Sequence, residues 1–304
     1  MTTIRDVTLR DGLQLTGKQL STDRKVGIVR DLLRLGVPSI EIGSMARPDL
    51  VPSMANTLEV IERLEPDERA RCWVWVATPR HVEKAAKAGA TNFQYCLSAS
   101  DKHNLANIGR TTEASLEAMP AAIDKAGRIQ LCIATAFTCP FDGPVPEERV
   151  LEIANDPRTE GAEDIVICDT LGQAVPAQVT SLISKVGGRR IVYHGHDTWG
   201  LGVANSLAAI AAGADEVDGA LGGLGGCPFA PGASGNASTE DLLFGLRPDW
   251  LTPAIFAELV NLTDGLLAEL GEPNRSRAVQ GAHSSATAFP WASASRVADH
   301  QAHE

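Results

Sequence analysis

His194-Gly195-His196-Asp197 sets two imidazoles two residues apart. Side chains on an extended strand alternate with period two, so both rings point the same way and suit two nitrogen ligands on one divalent ion. Near the amino terminus, Arg10-Asp11-Gly12 joins a fixed cation to a carboxylate. Asp11 suits a third ligand, whereas Arg10 cannot ligate and suits a developing enolate oxygen. Residues 221–236, LGGLGGCPFAPGASGN, carry one cysteine, Cys227, among six glycines and two prolines. They end in Asn236, whose amide oxygen suits a fourth ligand. Two nitrogens and two oxygens leave open positions on an octahedral ion such as Mg²⁺ or Mn²⁺; three histidines or thiolates would point to zinc. Cys227 in such a loop suits moving a proton on a bound substrate. Each feature also has a plain reading: a surface H-x-H, an arginine paired with its neighbour, a small loop cysteine. Glu41 either holds Arg10 in place or is a buried counter-ion with no catalytic task. The loop looks like a phosphate cradle but lacks the Lys-Ser/Thr of a P-loop and does not follow a first strand, which excludes nucleotide hydrolysis.

Positioning these groups is the task of short apolar runs alternating with helical patterns. Strands are expected at Ile4–Leu9, Ser39–Ile42, Cys72–Ala77, Phe93–Leu97, Ile129–Thr135, Asp164–Cys168, Arg190–Tyr193 and Glu216–Ala220. Val26, Val29, Leu32 and Leu33 share one helix face after Ser21, with Gly36 as a stop. Val203, Leu207, Ile210 and Ala211 share another, in a stretch that reads as a buried helix. Eight strand–helix units imply a parallel sheet closed as a (β/α)8 TIM barrel, with a doubly wound open sheet as the rival. A barrel gathers its active site at the carboxyl ends of its strands. Arg10 and Asp11 follow strand one, Glu41 ends strand two, and Asp101 and His103 follow strand four. Cys139 follows strand five, Asp169 ends strand six, His194 and His196 end strand seven, and the Cys227 loop follows strand eight. Every candidate group falls on one face.

With 304 residues, 44% hydrophobic and 21% charged, the chain can bury one large core. Residues 1–246 are expected to form the barrel catalytic domain, and 247–304 a carboxyl-terminal helical extension. Within it, Ile255, Leu259, Leu262 and Leu266 mark one face of a helix over 252–270. The Ser/Ala-rich tail from His283 is expected to fray. A formal charge of −11 argues against a nucleic-acid partner. No apolar run reaches the ~20 residues of a membrane span, and MTTIRDV has no signal-peptide pattern, so a cytoplasmic protein is expected. Cys72, Cys96, Cys132 and Cys168 read as small buried hydrophobes within strands, Cys139 and Cys227 as loop residues before prolines, all reduced. The appended helices offer a dimer surface, and a homo-oligomer is expected.

Taken together the set resembles the 3-hydroxy-3-methylglutaryl-CoA lyase family. The resemblance spans about residues 4–280. Its blocks are Arg10-Asp11-Gly12-Leu13-Gln14, Ile40-Glu41, Cys139-Pro140, Asp169-Thr170, His194-Gly195-His196-Asp197-Thr198, and Gly225-Gly226-Cys227-Pro228-Phe229-Ala230 on to Gly235-Asn236. It implies retro-Claisen cleavage of a 3-hydroxyacyl-CoA with a divalent cation on Asp11, His194, His196 and Asn236. It further implies Arg10, braced by Glu41, on the enolate, Cys227 with His194 delivering a proton, Asp169 supporting the metal's surroundings, and Gln14 on the substrate. The products would be acetyl-CoA and acetoacetate. Pro52-Ser53-Met54-Ala55-Asn56 stands where relatives usually have Pro-Gln-Met-x-Asp, and Asn274-Arg275-Ser276-Arg277 has arginine where lysines are common. Ser98–His103 is similar to the synthase branch, and relatives often have tyrosine at Trp199. 3-Hydroxy-3-methylglutaryl-CoA is the first substrate the resemblance implies; Ser53 and Asn56, expected at the acyl pocket, make another branched 3-hydroxyacyl-CoA the alternative. A Claisen synthase or aldolase and a non-catalytic barrel are the remaining alternatives; synthases usually carry a longer carboxyl-terminal region.

Overall fold

Eight apolar runs form the staves of a closed, all-parallel barrel: β1 (Thr3–Asp6), β2 (Ser39–Ser44), β3 (Cys72–Val76), β4 (Asn92–Ser98), β5 (Arg128–Ala134), β6 (Asp164–Asp169), β7 (Arg190–Gly195) and β8 (Glu216–Gly219). The computed structural model describes residues 3–226 and 234–284. Each strand pairs with the next in sequence, and β8 closes on β1 with Thr3 opposite Glu216 and Asp6 opposite Gly219. That closure excludes the open sheet. Strand one is shorter than its apolar run suggests. Asp6 Oδ1 accepts the Thr8 amide at 3.0 Å, and Thr8–Gly12 winds into a wide turn. Its hydrogen bonds run from Gly12 N to Val7 O and from Leu13 N to Thr8 O. Such five-residue turns recur where a side chain must be re-aimed; here they carry Arg10 and Asp11.

The first outer helix follows its sequence pattern. Ser21 Oγ accepts the Arg24 amide at 3.2 Å, a cap of about 1 kcal/mol, and Val26, Val29, Leu32 and Leu33 are buried along Thr22–Arg34. Gly36 follows with φ 94°. The helix Gly202–Ala211 does not behave as its apolar spacing suggests. Its buried residues are Gly202, Asn205, Ser206 and Ala209, whereas Leu207 is exposed. The small face lets the helix lie close to its neighbours, with Asn205 Nδ2 donating to Ala174 O at 2.8 Å and Asp197 Oδ1 accepting the Gly202 amide at 2.7 Å. Close approach and polar anchoring outweigh the larger apolar side chains, which only partly reach the core.

The barrel interior has two contrasting layers. Toward the amino ends of the strands, Arg5 is fully buried and forked on Asp218, Nε to Oδ1 at 2.9 Å and Nη2 to Oδ2 at 2.8 Å, while Nη1 donates to Gln130 Oε1. A pair this deep is costly to break by removing one partner, on the order of 3–5 kcal/mol. Toward the carboxyl ends, Cys96, Cys132 and Cys168 cluster with Trp75, Ala134, Val166 and Val192.

Beyond the barrel, Thr252 caps Pro253–Leu270 and Gly271 ends it with φ 69°. Phe256, Leu259, Val260, Leu266, Leu267 and Leu270 are buried, while Ile255 and Leu262 are half-buried, so the packed stripe is wider than the sequence pattern. Arg277–His283 docks on Thr239–Leu246 through Asp241, whose carboxylate accepts the Arg277 and Ala278 amides and the Ser276 hydroxyl. Of the tail expected to fray from His283, His283 itself ends this helix with Nε2 2.8 Å from Asp264 Oδ2, and the residues from 285 on lie outside the described residues. No helix among the described residues is long and apolar enough to cross a membrane.

Candidate active site

At the carboxyl ends of the strands, the wide turn after β1 and the end of β7 bring Asp11, His194 and His196 together. One ligand atom from each lies within 4.8 Å of the others, and all three residues are buried. Asp11 Oδ2 is 3.2 Å from His196 Nε2 and accepts from Asn236 Nδ2 at 2.9 Å. Asn236 Oδ1 is buried with no hydrogen-bond partner among the described residues. A buried orphan acceptor is rare and calls for an explanation. Beside two imidazoles and a carboxylate, it fits a divalent cation of mixed N/O preference. Gly225 permits this closeness: its φ is 121°, and a Cβ there would stand 2.6 Å from Asn236 Nδ2.

His194 is aimed from behind. Its Nδ1 lies 2.9 Å from Asp218 Oδ2, the carboxylate that Arg5 holds. Burial opposes ionisation of Asp218, but Arg5 and His194 keep it below the usual carboxylate range. An ionised Asp218 accepts a hydrogen bond from Nδ1–H and leaves Nε2 for the cluster, a common arrangement behind metal-binding histidines. Asp11 is likewise held well below the carboxylate range against burial, by Arg10, His196 and His194.

Arg10 closes the site opposite the imidazoles. Its Nη1 donates to Asp11 Oδ1 at 2.6 Å, its Nε is 3.8 Å from Glu41 Oε2, and its guanidinium sits 5.2 Å from the Trp75 ring. Burial would lower its pKa, but Glu41 and Asp11 raise it, so the charge persists. Glu41, at the centre of β2, is raised by burial more than the arginines lower it. Gln14 lines the same cavity as Arg10, Asp11, His194 and His196.

Other candidates take supporting places. Asp169 accepts the Gln173 and Ala174 amides at 3.1 and 3.0 Å, and its own carbonyl accepts from His196 N at 3.3 Å. Asp101 accepts the Thr112 amide. His103 lines the cavity with Nδ1 2.6 Å from Ser98 Oγ, and burial pushes its pKa down to about 4. Cys139 Sγ accepts the Phe141 and Asp142 amides and is a turn anchor rather than a cavity group. Cys227 lies outside the described residues; Gly226, just before it, lines the cavity. The expectation for Ser53 and Asn56 is corrected. Neither lines the acyl cavity; Ser53 O and Asn56 Oδ1 each accept from the buried Lys25 Nζ at 2.6 Å. With an amide in place of an acid, burial lowers the Lys25 pKa to about 8.

Sequence reasoning missed Asp218 and Arg5, which belong to no motif. It also took Cys96, Cys132 and Cys168 as plain core, whereas all three line the cavity. Their numbers carried a signal: 96, 132 and 168 are 36 residues apart each time, one strand–helix unit, so the three fall on consecutive strands β4, β5 and β6.

Residues 2–262 match the family model described as HMGL-like. The hydroxymethylglutaryl-CoA lyase YngG of Bacillus subtilis is 32% identical over 287 residues, 91% of this chain and 96% of that protein. The (R)-citramalyl-CoA lyase of Chloroflexus aurantiacus is 38% identical over 290 residues, 89% and 92% of the two chains. Among solved structures, an HMG-CoA lyase from Acinetobacter baumannii in complex with coenzyme A and 3-methylmalate superposes with a TM-score of 0.85 at 32% identity, covering 95% of this chain and 97% of that one. Family model, relatives and barrel agree: the chain belongs to the HMGL-like family and is an enzyme of the lyase class.

Proposed function

We propose that the protein cleaves the C2–C3 bond of a branched 3-hydroxyacyl-CoA, with 3-hydroxy-3-methylglutaryl-CoA the first choice, to acetyl-CoA and acetoacetate. The observation that carries this is one cavity that brings Asp11, His194 and His196 together with a half-buried, permanently charged Arg10. Asp11, His194, His196 and Asn236 would hold the divalent cation, Mg²⁺ or Mn²⁺. When bound, the cation supplies Lewis acidity that lowers the pKa of the substrate hydroxyl. The remaining work belongs to the chain. As the hydroxyl proton leaves, C3–O becomes a carbonyl and the C2–C3 electron pair becomes the enolate of acetyl-CoA. Arg10 Nε is buried without a hydrogen-bond partner among the described residues, a donor preorganised for the enolate oxygen. Glu41 and Asp11 hold that guanidinium, and Trp75 lies beneath it. We assign Cys227, with His194, the proton that converts enolate to acetyl-CoA, Gln14 a contact to substrate, and Asp169 the seating of the turn behind His196.

A second reading rests on the 38% identity to the citramalyl-CoA lyase. The same chemistry on a 3-hydroxyacyl-CoA bearing methyl and carboxylate on C3 yields acetyl-CoA and pyruvate. An LC–MS assay of purified protein with each thioester, with Mg²⁺ and with EDTA, decides between them. Metal-dependent acetoacetate above about 1 s⁻¹ supports the first reading; pyruvate from citramalyl-CoA supports the second. Intact thioesters from folded, metal-loaded protein overturn both. We further infer a cytoplasmic homo-oligomer with no nucleic-acid or membrane partner; the charge of −11 supports the former exclusion, and sedimentation tests the assembly.

A further inference from the structure

The site's chemistry uses the walls of the cavity and leaves its floor without a role. Three thiols form that floor. Cys96 and Cys132 are direct partners across β4 and β5, and Cys132 Sγ lies 3.4 Å from Cys168 Sγ on β6. The row faces the same space as Arg10 and His194. Hydrogen bonding between neighbouring thiols and burial push Cys96 and Cys132 well above the ordinary thiol range. These thiols are therefore neither nucleophiles nor anionic ligands at neutral pH; they are a neutral, polarisable, apolar surface. Ala134 and Trp75 extend it, and Val166 and Val192 close the barrel beneath.

The cavity thus has two chemistries, and a tertiary carbinol carbon has four substituents to distribute. The hydroxyl belongs beside Asp11, His194 and His196. The thioester arm runs to the mouth, because a closed barrel floored by buried side chains cannot admit coenzyme A. A carboxylate pays heavily for desolvation against thiols and belongs with the donors of Arg10, Gln14 and Thr170. The alkyl branch is left, and the floor is the surface that matches it. We propose that Cys96, Cys132 and Cys168 seat the alkyl branch on C3 of the substrate. They select 3-hydroxyacyl-CoA thioesters with a tertiary carbinol, and their volume sets the length of branch accepted.

This rests on the acyl-CoA lyase reading above, and the test separates the two. kcat/KM is measured with Mg²⁺ for 3-hydroxyglutaryl-CoA, its 3-methyl homologue and its 3-ethyl homologue, in wild type, Cys132→Ala and Cys132→Leu. One methylene in a fitted pocket discriminates by about 10–200-fold. Wild type is expected to favour methyl over unbranched by at least about tenfold. Cys132→Leu is expected to cut that ratio by more than about tenfold, and Cys132→Ala to raise the ethyl-to-methyl ratio several-fold. Ratios unchanged within about threefold in both variants overturn the proposal. If overpacking prevents Cys132→Leu from folding, Cys132→Ala decides alone. A wild type that cleaves none of the three ends the first reading above, cleavage of 3-hydroxy-3-methylglutaryl-CoA. In that case calorimetric binding of the methyl and unbranched thioesters still reads the floor, a methyl preference supporting it and equal binding overturning it.

Discussion

Asp218 shows how far a residue's role is set by what stands behind it. Its carboxylate divides between Arg5 and His194 Nδ1, so the charge that anchors the barrel's buried ion pair also fixes which nitrogen of His194 carries the proton. Asp218→Asn keeps the shape and loses the charge. Metal affinity is expected to fall about 10–100-fold, the usual consequence of losing a carboxylate behind a liganding histidine. Mn²⁺ titration by EPR checks it, and an unchanged Kd would show that the contact only packs. Nitrogen NMR of wild-type His194 gives an independent reading, expected to place the proton on Nδ1. Cys227 is argued differently, from its position directly after a cavity-lining glycine. Cys227→Ala is expected to cost about 10²–10⁴-fold in kcat, the range for a lost acid or base, with Mn²⁺ affinity intact. A loss below tenfold would remove the thiol from the chemistry.

Among the elements, one carboxyl group ties Gly222 and Ser238 together and joins both to the helix Pro253–Leu270. Glu240 accepts the Gly222 amide at 3.0 Å, the Ser238 hydroxyl at 2.6 Å and the Thr263 hydroxyl. Burial pushes its pKa up to about 7, against an ordinary 4.5. The folded protein therefore holds a proton that the unfolded chain has released between those values. The stabilising contribution is complete below about pH 4.5 and is lost as pH rises through about 7, a change of about 3 kcal/mol. Glu240→Gln cannot titrate. Chemical denaturation at pH 5, 6, 7 and 8 is expected to show wild-type stability falling relative to Glu240→Gln across that window; parallel curves would refute it. None of this was readable along the chain. The strands were, because runs such as Cys72–Val76 and residues 165–168 are continuously apolar, as parallel strands covered on both faces must be. His194 and His196 were placed because period two is a local property. The pairing of His194 with Asp218 and the alignment of Cys96, Cys132 and Cys168 depend on strand register, which no single strand's sequence encodes. The buried face of Gly202–Ala211 was missed for a related reason, since small residues mark close approach only when the neighbour is known.

For the whole molecule, charge and rim pull in opposite directions on an acyl-CoA. Six of the seven large exposed hydrophobics among the described residues are Leu15, Leu50, Leu105, Phe141, Val175 and Trp199, and each stands in the segment that follows the carboxyl end of a strand. Leu50 and Leu105 line a groove that shares Arg10, Gln14, Trp75 and Asn107 with the site cavity, and such an apolar rim acts only at contact. At longer range a chain of net charge −11 meets a thioester carrying several phosphate charges, and the mean interaction is repulsive. The local cations do little to reverse it: Arg47 is paired with Asp49 and Arg275 with Glu272. Screening shortens the range of that repulsion from about 30 Å at 10 mM salt to about 8 Å at 150 mM. With Mg²⁺ held constant, kcat/KM for an acyl-CoA substrate is expected to rise several-fold across that range of KCl, the gain lying in KM rather than kcat. The opposite slope would mean that cations at the mouth, not the net charge, govern the approach. The apolar rim then supplies the affinity that survives at high salt, so Trp199→Ala is expected to raise KM at every ionic strength and to leave the slope with salt unchanged.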